Sequence, residues 1–180
     1  MRIMLLGRPK VDDRTRLETM IQDTGREILD RTEQKDVWTV FIRQGTYLLF
    51  IMHRKDEKFM SVVFPSRFTD EDLIRKIDTA LKDPIDLAKF QYKLKKAIST
   101  PYSSFLIQTQ DNFFTGFDTI AKIYPFEPEF CLRELETAIG AVVNSGVVGI
   151  ALIATILGET GLEQQVSGDM AKSSLDTMYR

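Results

Sequence analysis

The chain has 180 residues, with 24 basic and 26 acidic side chains and a formal net charge of −2. Its 43% hydrophobic and 28% charged residues are typical of an ordinary folded protein, which excludes intrinsic disorder for most of the chain. The near-neutral charge balance excludes a global attraction to nucleic acid. A single cysteine and a single histidine exclude an internal disulfide and a multi-histidine metal site.

The apolar run near the start of the sequence is too short to form a secretory signal. Residues 3–6 are an apolar run between Arg2 and Arg8, whereas a signal needs an apolar stretch of about 7–15 residues. We therefore expect a cytoplasmic protein. The length predicts a single domain over residues 1–158, followed by a polar, partly disordered tail over residues 159–180. Within that tail, helical spacing relates Leu162, Val166 and Met170.

The first predicted elements are a helix and a strand meander. Residues 12–24 carry Leu17 and Ile21 at helical spacing, and a polar stretch over residues 31–36 follows. Three apolar runs come next and predict strands, because they are rich in β-branched and aromatic side chains. Their connections are too short to hold crossover helices, so the strands are expected to be antiparallel. The three runs are residues 37–42, 46–53 and 59–64.

The middle strand has the pattern of a strand that is buried on both faces. Residues 47–52 read Tyr-Leu-Leu-Phe-Ile-Met, so that both faces of this strand are apolar. We expect the sheet to be covered on both sides for part of its width.

The second half of the chain predicts helices around a hairpin. Thr69 is predicted as the N-cap of a helix that ends before Asp83, and Pro84 begins another that continues to Ile98. Residues 104–109 and 113–124 predict a hairpin. A long last helix is predicted from Pro128 through Leu157. The element order α-βββ-αα-ββ-α predicts the α+β class, with an antiparallel sheet packed against helices.

The last helix is the most informative feature. Residues 137–158 carry no charge, and a helix that is apolar all round has no face for water. Three interpretations stay open: burial in the core and a dimer interface, a membrane span of about 20 residues, or a break at Asn144-Ser145-Gly146. Acidic residues flank the run and no basic or aromatic belt marks its ends, which favours burial and dimerisation. The predicted interface residues are Val142, Val143, Gly146, Val147, Ile150 and Ile153.

Four short stretches resemble a known fold family. They are Val62-Val63-Phe64-Pro65, Phe90-Gln91-Tyr92-Lys93-Leu94, Ile123-Tyr124-Pro125 and Ala138-Ile139-Gly140-Ala141-Val142-Val143-Asn144. With the element order, they resemble the type III secretion chaperone-like fold, found also in YbjN-like proteins and a group of uncharacterised archaeal proteins. The resemblance covers about residues 12–158. It implies a dimerising α+β domain, in a fold whose secretion members bind polypeptides in extended form, with no catalytic residue and no cofactor.

Candidate chemical residues are few. His53 at a strand end favours a surface histidine over a general base, since no nucleophile is adjacent in sequence. Cys131 between Phe130 and Leu132 favours a buried thiol over a reactive one. Paired acids lie where helices begin, which indicates caps and no metal. A basic helix stripe favours a solvated face over a phosphate or peptide site, and its members are Lys89, Lys93, Lys95 and Lys96.

The sequence therefore predicts a non-enzymatic interaction protein, a homodimer that holds an extended polypeptide. Open strand edges beside apolar pockets would accept such a client by main-chain pairing. One alternative is a membrane-anchored protein with a cytoplasmic α+β head and a C-terminal span. Another is a hydrolase that uses His53 with a spatially adjacent acid. The identity of a client, and whether one exists, is left open.

Overall fold

The computed structural model of the chain describes residues 13–110 and 113–158. The predicted tail over residues 159–180 and the apolar run at residues 3–6 lie outside the described residues. The described elements are α1 (Asp13–Asp23), β1 (Glu27–Gln34), β2 (Val37–Gln44), β3 (Tyr47–Arg54), β4 (Met60–Arg67), α2 (Glu71–Ala80), α3 (Pro84–Ile98), β5 (Ser104–Gln110), β6 (Phe113–Ile123) and α4 (Leu132–Leu157).

The strands form a six-stranded sheet in the order β1-β2-β3-β4-β6-β5, with every neighbouring pair antiparallel. The predicted α+β class and the predicted elements are confirmed. The structure adds strand β1 at the sheet edge. Its sequence is polar, and its surface side chains pair with α1, as in the Arg31–Glu18 ion pair at 2.8 Å. Such an edge strand lacks the alternating apolar pattern from which strands are predicted.

Two helix starts differ from the prediction. The N-cap of α2 is Asp70 and not Thr69, because the Asp70 carboxylate accepts hydrogen bonds from the backbone N–H groups of Asp72 and Leu73. The last helix begins at Leu132, four positions later than the predicted Pro128. The N-cap of α3 is Asp83, as its break at Asp83-Pro84 predicts.

All four helices pack on one face of the sheet, which we call the first face. Their buried side chains join those of the central strands in one continuous core that stabilises the fold by burial of apolar area. From the helices this core takes Leu17, Ile21, Leu73, Ile77, Phe90, Leu94, Ile98, Leu135, Ala138, Ile139, Val142, Ile150 and Ile153.

Helix α4 crosses the sheet without a break, which excludes the alternative of an interruption at Asn144-Ser145-Gly146. Gly146 and Gly149 let its backbone approach the rings of Phe64 and Phe117. Any larger residue at these two positions would place its Cβ against the rings. The close packing of helix and sheet also satisfies a buried hydroxyl, since Thr119 donates a hydrogen bond to the Val142 carbonyl at 2.7 Å. Helix α4 therefore packs along its length against the sheet of its own chain.

An ion pair joins the first turns of α4 to the residue before β1. Arg26, just before β1, donates from Nη2 to Oε2 of Glu136 at 2.8 Å, and the Arg26 side chain is nearly buried. This hydrogen bond lowers the pKa of the Glu136 carboxyl, and burial opposes the shift. The charged form of Glu136 is therefore favoured by folding.

We expect Glu136→Gln to remove a small, pH-dependent part of the stability. A lowered folded pKa gives stability that is present above the unfolded value of 4.5 and is lost as the pH falls through the folded value. Because Glu136 is partly exposed, the loss at neutral pH is expected to be below about 1 kcal/mol. Urea unfolding at several pH values measures it. Glu129→Gln, at an exposed position, is the control; a loss that persists unchanged below pH ~4 would contradict the assignment.

Candidate functional site

The structure divides the predicted interface residues between the core and the flanks of α4. Four of them are buried inside the same subunit, and two are half-buried at the sides of the helix. The buried four are Val142, Gly146, Ile150 and Ile153, and the half-buried two are Val143 and Val147. The prediction is corrected for the buried four, because they pack against the chain's own sheet and present no free surface.

The opposite side of α4 is uncovered by the described residues. We call it the outer face; its members are Thr137, Ala141, Asn144, Val148, Ala151 and Thr155. They alternate steps of four and three residues, which is the spacing of a coiled-coil seam. Val148 is 46% exposed and lies at the middle of this face. No charged residue occurs on it.

Two of the polar side chains on the outer face have their hydroxyl hydrogen bonds satisfied within the helix. The hydroxyls of Thr137 and Thr155 donate to the carbonyls of Arg133 and Ala151 within the helix, both at 2.8 Å. Asn144 makes no side-chain hydrogen bond to a described residue. An asparagine in a heptad seam is a feature that fixes register between paired helices. Sequence patterning missed this surface, because a helix that is apolar all round gives no signal of which side stays free.

The sheet has two edges, and they differ in character. Strand β1 carries charged side chains and is flanked by α1. Strand β5 pairs only with β6 among the described strands, and Leu106 is 53% exposed. Tyr102, just before β5, is also exposed. The edge at β5 is therefore the more apolar of the two, and it offers unpaired main-chain groups.

A polar network holds β5 to the sheet. Asp118 on β6 is buried, and its Oδ2 accepts from Nη2 of Arg67 on β4 at 2.9 Å and from Nε2 of Gln108 on β5 at 2.8 Å. Charge-assisted pairs of this kind fix geometry across strands. Sequence reasoning missed the network because Arg67 and Asp118 are 51 residues apart.

His53 has no acid–base partner in the described part of the chain. Its Nε2 lies 3.1 Å from the Glu57 carbonyl oxygen, and its ring centroid lies 4.9 Å from that of Phe126. Its Nδ1 is buried without a hydrogen-bond partner. The ring is half-buried at the end of β3. The geometry gives His53 a packing role beside an aromatic ring.

The other predicted chemical residues are surface features. Cys131 is exposed as the N-cap of α4, so its predicted burial is wrong. Its backbone N–H donates to Glu134 at 3.2 Å, because the chain begins a helix there at the surface. The lysine stripe of α3 is exposed, with Lys89 3.2 Å from Asp86. Among the described residues there is no group of three or more side chains that could hold a metal ion.

Comparisons with known proteins bear on the fold. No family model and no curated protein matches the chain. A similar solved structure is the crystal structure of an uncharacterized protein from the archaeon Methanothermobacter thermautotrophicus, with a TM-score of 0.68 and 8% sequence identity. The match covers 80% of this chain and 98% of that chain. At this identity the similarity shows the fold alone. The predicted likeness to an uncharacterised archaeal protein is supported, whereas the match gives no support for the type III secretion chaperone family.

Proposed function

We propose that this chain is a non-enzymatic, cytoplasmic interaction protein that forms a homodimer through the outer face of α4 and binds an extended polypeptide at the β5 edge. The observation that carries the proposal is the outer face itself, an uncharged seam with heptad spacing on the surface of a folded domain. Exposed apolar side chains grouped on the surface of soluble proteins mark interaction sites, and Val148 is the large exposed one at the centre of this face.

Two copies of α4 fit together through this face for steric reasons. Ala141 and Ala151 are small, so two helix axes can come within the 8–10 Å typical of packed helices. Asn144 of each copy gains a hydrogen-bonding partner near the middle of the seam. The same contact removes Val148 from water in both copies, which stabilises the dimer by the burial of apolar area.

We expect Val148→Glu to convert the dimer to a folded monomer. Each copy would bring a carboxylate into the middle of the seam, where neither copy offers a cation, and the resulting repulsion is expected to weaken association at least about 100-fold. Because Val148 is exposed in the single chain, the substitution should leave the stability of the monomer itself nearly unchanged, and thermal unfolding should lose only the part that association adds. Analytical ultracentrifugation over a range of concentrations measures the association.

The matched control is Tyr92→Glu, at an exposed position of α3 outside the seam, which should leave association unchanged. Substitutions at Gly146 or Ile150 do not test this interface, since both residues lie in the core of the subunit. Equal association of Val148→Glu and the unsubstituted chain would reject the outer face as the interface.

Binding of an extended polypeptide is supported by the β5 edge. A client strand would pair with main-chain groups of β5, and its side chains would contact the exposed Leu106 and Tyr102. We expect Leu106→Lys to weaken binding of a permanently unfolded probe, reduced and carboxymethylated lactalbumin, about tenfold. Fluorescence anisotropy of the labelled probe measures this. Ile85→Lys, an exposed site on α3, is the control, and equal loss in both variants would contradict the β5 site.

A membrane-anchored protein is the second candidate, since α4 is long and apolar enough to cross a bilayer. The packing of α4 opposes it. The inner side of the helix fills the core above Phe64 and Phe117, so insertion in a membrane would expose those rings. Membranes washed with carbonate separate the two candidates. The proposal expects the chain in the soluble fraction, and retention in the washed membranes would favour the span.

A further inference from the structure

The lysine stripe of α3 belongs to a segment with an uneven charge balance. Residues 87–110 carry four lysines and no acidic residue, a charge of +4 in a chain whose net charge is −2. All four lysines are exposed. Lys89 lies 3.2 Å from Asp86, but Lys93, Lys95 and Lys96 form no ion pair with a described residue. Three cations of one helix are therefore left without an anion in the described part of the chain.

The elements packed against α3 add no free acid to this surface. Helix α3 contacts α4 and β5. After Glu136, α4 is uncharged to its end, and β5 carries no charged side chain. Asp118 on β6 is buried and accepts hydrogen bonds from Arg67 and Gln108. A solvated helix face typically alternates charges of both signs, whereas the last three turns of α3 carry one sign only. These surroundings favour a face that receives anions from a partner.

The same part of the fold exposes apolar side chains. Four of the eight large hydrophobic side chains that are exposed among the described residues lie between positions 85 and 106, and they are the four most exposed. They are Ile85, Tyr92, Tyr102 and Leu106. Apolar side chains grouped on a surface mark interaction sites. A partner of this surface therefore meets apolar contacts and unpaired cations together.

The β5 edge lies between the lysines and Leu106. Phe105 packs against the core on the first face, where α3 also lies, so the neighbouring Leu106 points to the opposite face of the sheet. On that opposite face an apolar cluster around Phe41 lies over the central strands, and every member of the cluster belongs to a strand. A strand added to β5 would direct alternate side chains to the two faces. One set would lie toward α3, and the other would contact Leu106.

We propose that the partner at the β5 edge is an acidic polypeptide, an extended segment in which acidic and apolar side chains alternate. The inference rests on the proposed polypeptide site at that edge and names the class of its partner. The carboxylates pair with Lys93, Lys95 and Lys96, which the long flexible stems of lysine allow. The apolar side chains between them pack on Leu106. An anionic membrane fits less well, because the apolar side of α3 fills the core and is not free to insert.

Three labelled decapeptides test this charge preference by fluorescence anisotropy with the full chain. The first alternates glutamate and valine, the second glutamine and valine, and the third lysine and valine. Exposed ion pairs are individually weak, so three of them are expected to favour the glutamate peptide over the glutamine peptide about tenfold at about 50 mM salt, with the lysine peptide bound least. Screening should remove most of this preference at about 500 mM salt.

A triple substitution on α3 should abolish the preference and leave binding of the glutamine peptide unchanged: Lys93→Gln, Lys95→Gln and Lys96→Gln. The matched control removes the same charge from exposed positions at the β3–β4 connection and should keep the preference: Arg54→Gln, Lys55→Gln and Lys58→Gln. Cations in a last turn also favour the helix dipole. Arginine at the three lysine positions should therefore keep both the helix and the preference, which separates recognition from folding.

Leu106→Ser separates the acidic preference from the site itself, because it should weaken both the glutamate and the glutamine peptide. Equal binding of these two peptides, with both weakened by Leu106→Ser, would retain the β5 site and overturn the acidic partner. Binding of neither peptide would overturn the site and the inference together. A glutamate peptide that Leu106→Ser does not weaken would also overturn the inference. So would its displacement by a thymidine oligonucleotide or by phosphatidylglycerol vesicles at the same concentration of negative charge, which would assign the lysines to nucleic acid or to a membrane.

Discussion

Replacing Gly116 by alanine is expected to destabilise the protein by about 2–5 kcal/mol. Gly116 has φ +149°, and an added Cβ would lie 1.9 Å from the Ser66 carbonyl oxygen on the neighbouring strand β4. That oxygen belongs to the backbone of a central strand, so it moves only if the pairing of β4 and β6 shifts. The backbone strain and the steric overlap add to one another. Urea unfolding measures the difference.

Gly140→Ala is the matched control for this substitution. Gly140 lies in α4 with nothing within 4 Å of an added Cβ, so alanine should stabilise the helix. The expected gain is up to about 1 kcal/mol, from the higher helix propensity of alanine. If the free energy of unfolding of Gly116→Ala lay within about 0.5 kcal/mol of that of the unsubstituted chain, the pairing of β4 and β6 would be wrong.

Phe64→Ala is expected to cost about 3–5 kcal/mol, because it opens a cavity between the sheet and α4. The Phe64 side chain is fully buried, its ring centroid lies 5.4 Å from that of Tyr47, and its Cδ1 lies 2.3 Å from the position of a Cβ at Gly146. Phe126→Ala, at a ring that is 38% exposed, should cost less. Thermal and urea unfolding measure both variants.

The same contact predicts a sign reversal at Gly146. In the unsubstituted chain, Gly146→Ala forces a methyl group against the Phe64 ring and should destabilise it by about 1–3 kcal/mol. In the Phe64→Ala background the methyl has room, and alanine favours the helix, so the same substitution should stabilise. Additive effects of the two substitutions would show that α4 does not lie over Phe64.

Sequence patterning predicts the elements best where local chemistry is decisive. Helix α3 has the predicted bounds, Pro84–Ile98, because Asp83 provides a cap, Pro84 a preset φ and Pro101 a stop. Strand β1 could not be predicted, since its polar side chains pair with α1 only once both elements are placed. The local pattern contains no trace of that long-range pairing.

The interaction surface was harder to predict for a related reason. A helix that is apolar on every side gives no signal of which side meets its own sheet. Gly146 was predicted to admit a second helix, yet it admits the ring of Phe64 from the same chain. The Asp118 network and the cluster around Phe41 also depend on strands that pair across long sequence separations.

The molar mass of the full chain in detergent-free buffer tests the central claim, self-association through the outer face of α4, most directly. Size-exclusion chromatography with light scattering measures it without a standard. The proposal predicts a soluble species of about twice the 20.7 kDa chain mass. A species of one chain mass at all concentrations would contradict the dimer, and a protein recovered only in detergent would favour the membrane span.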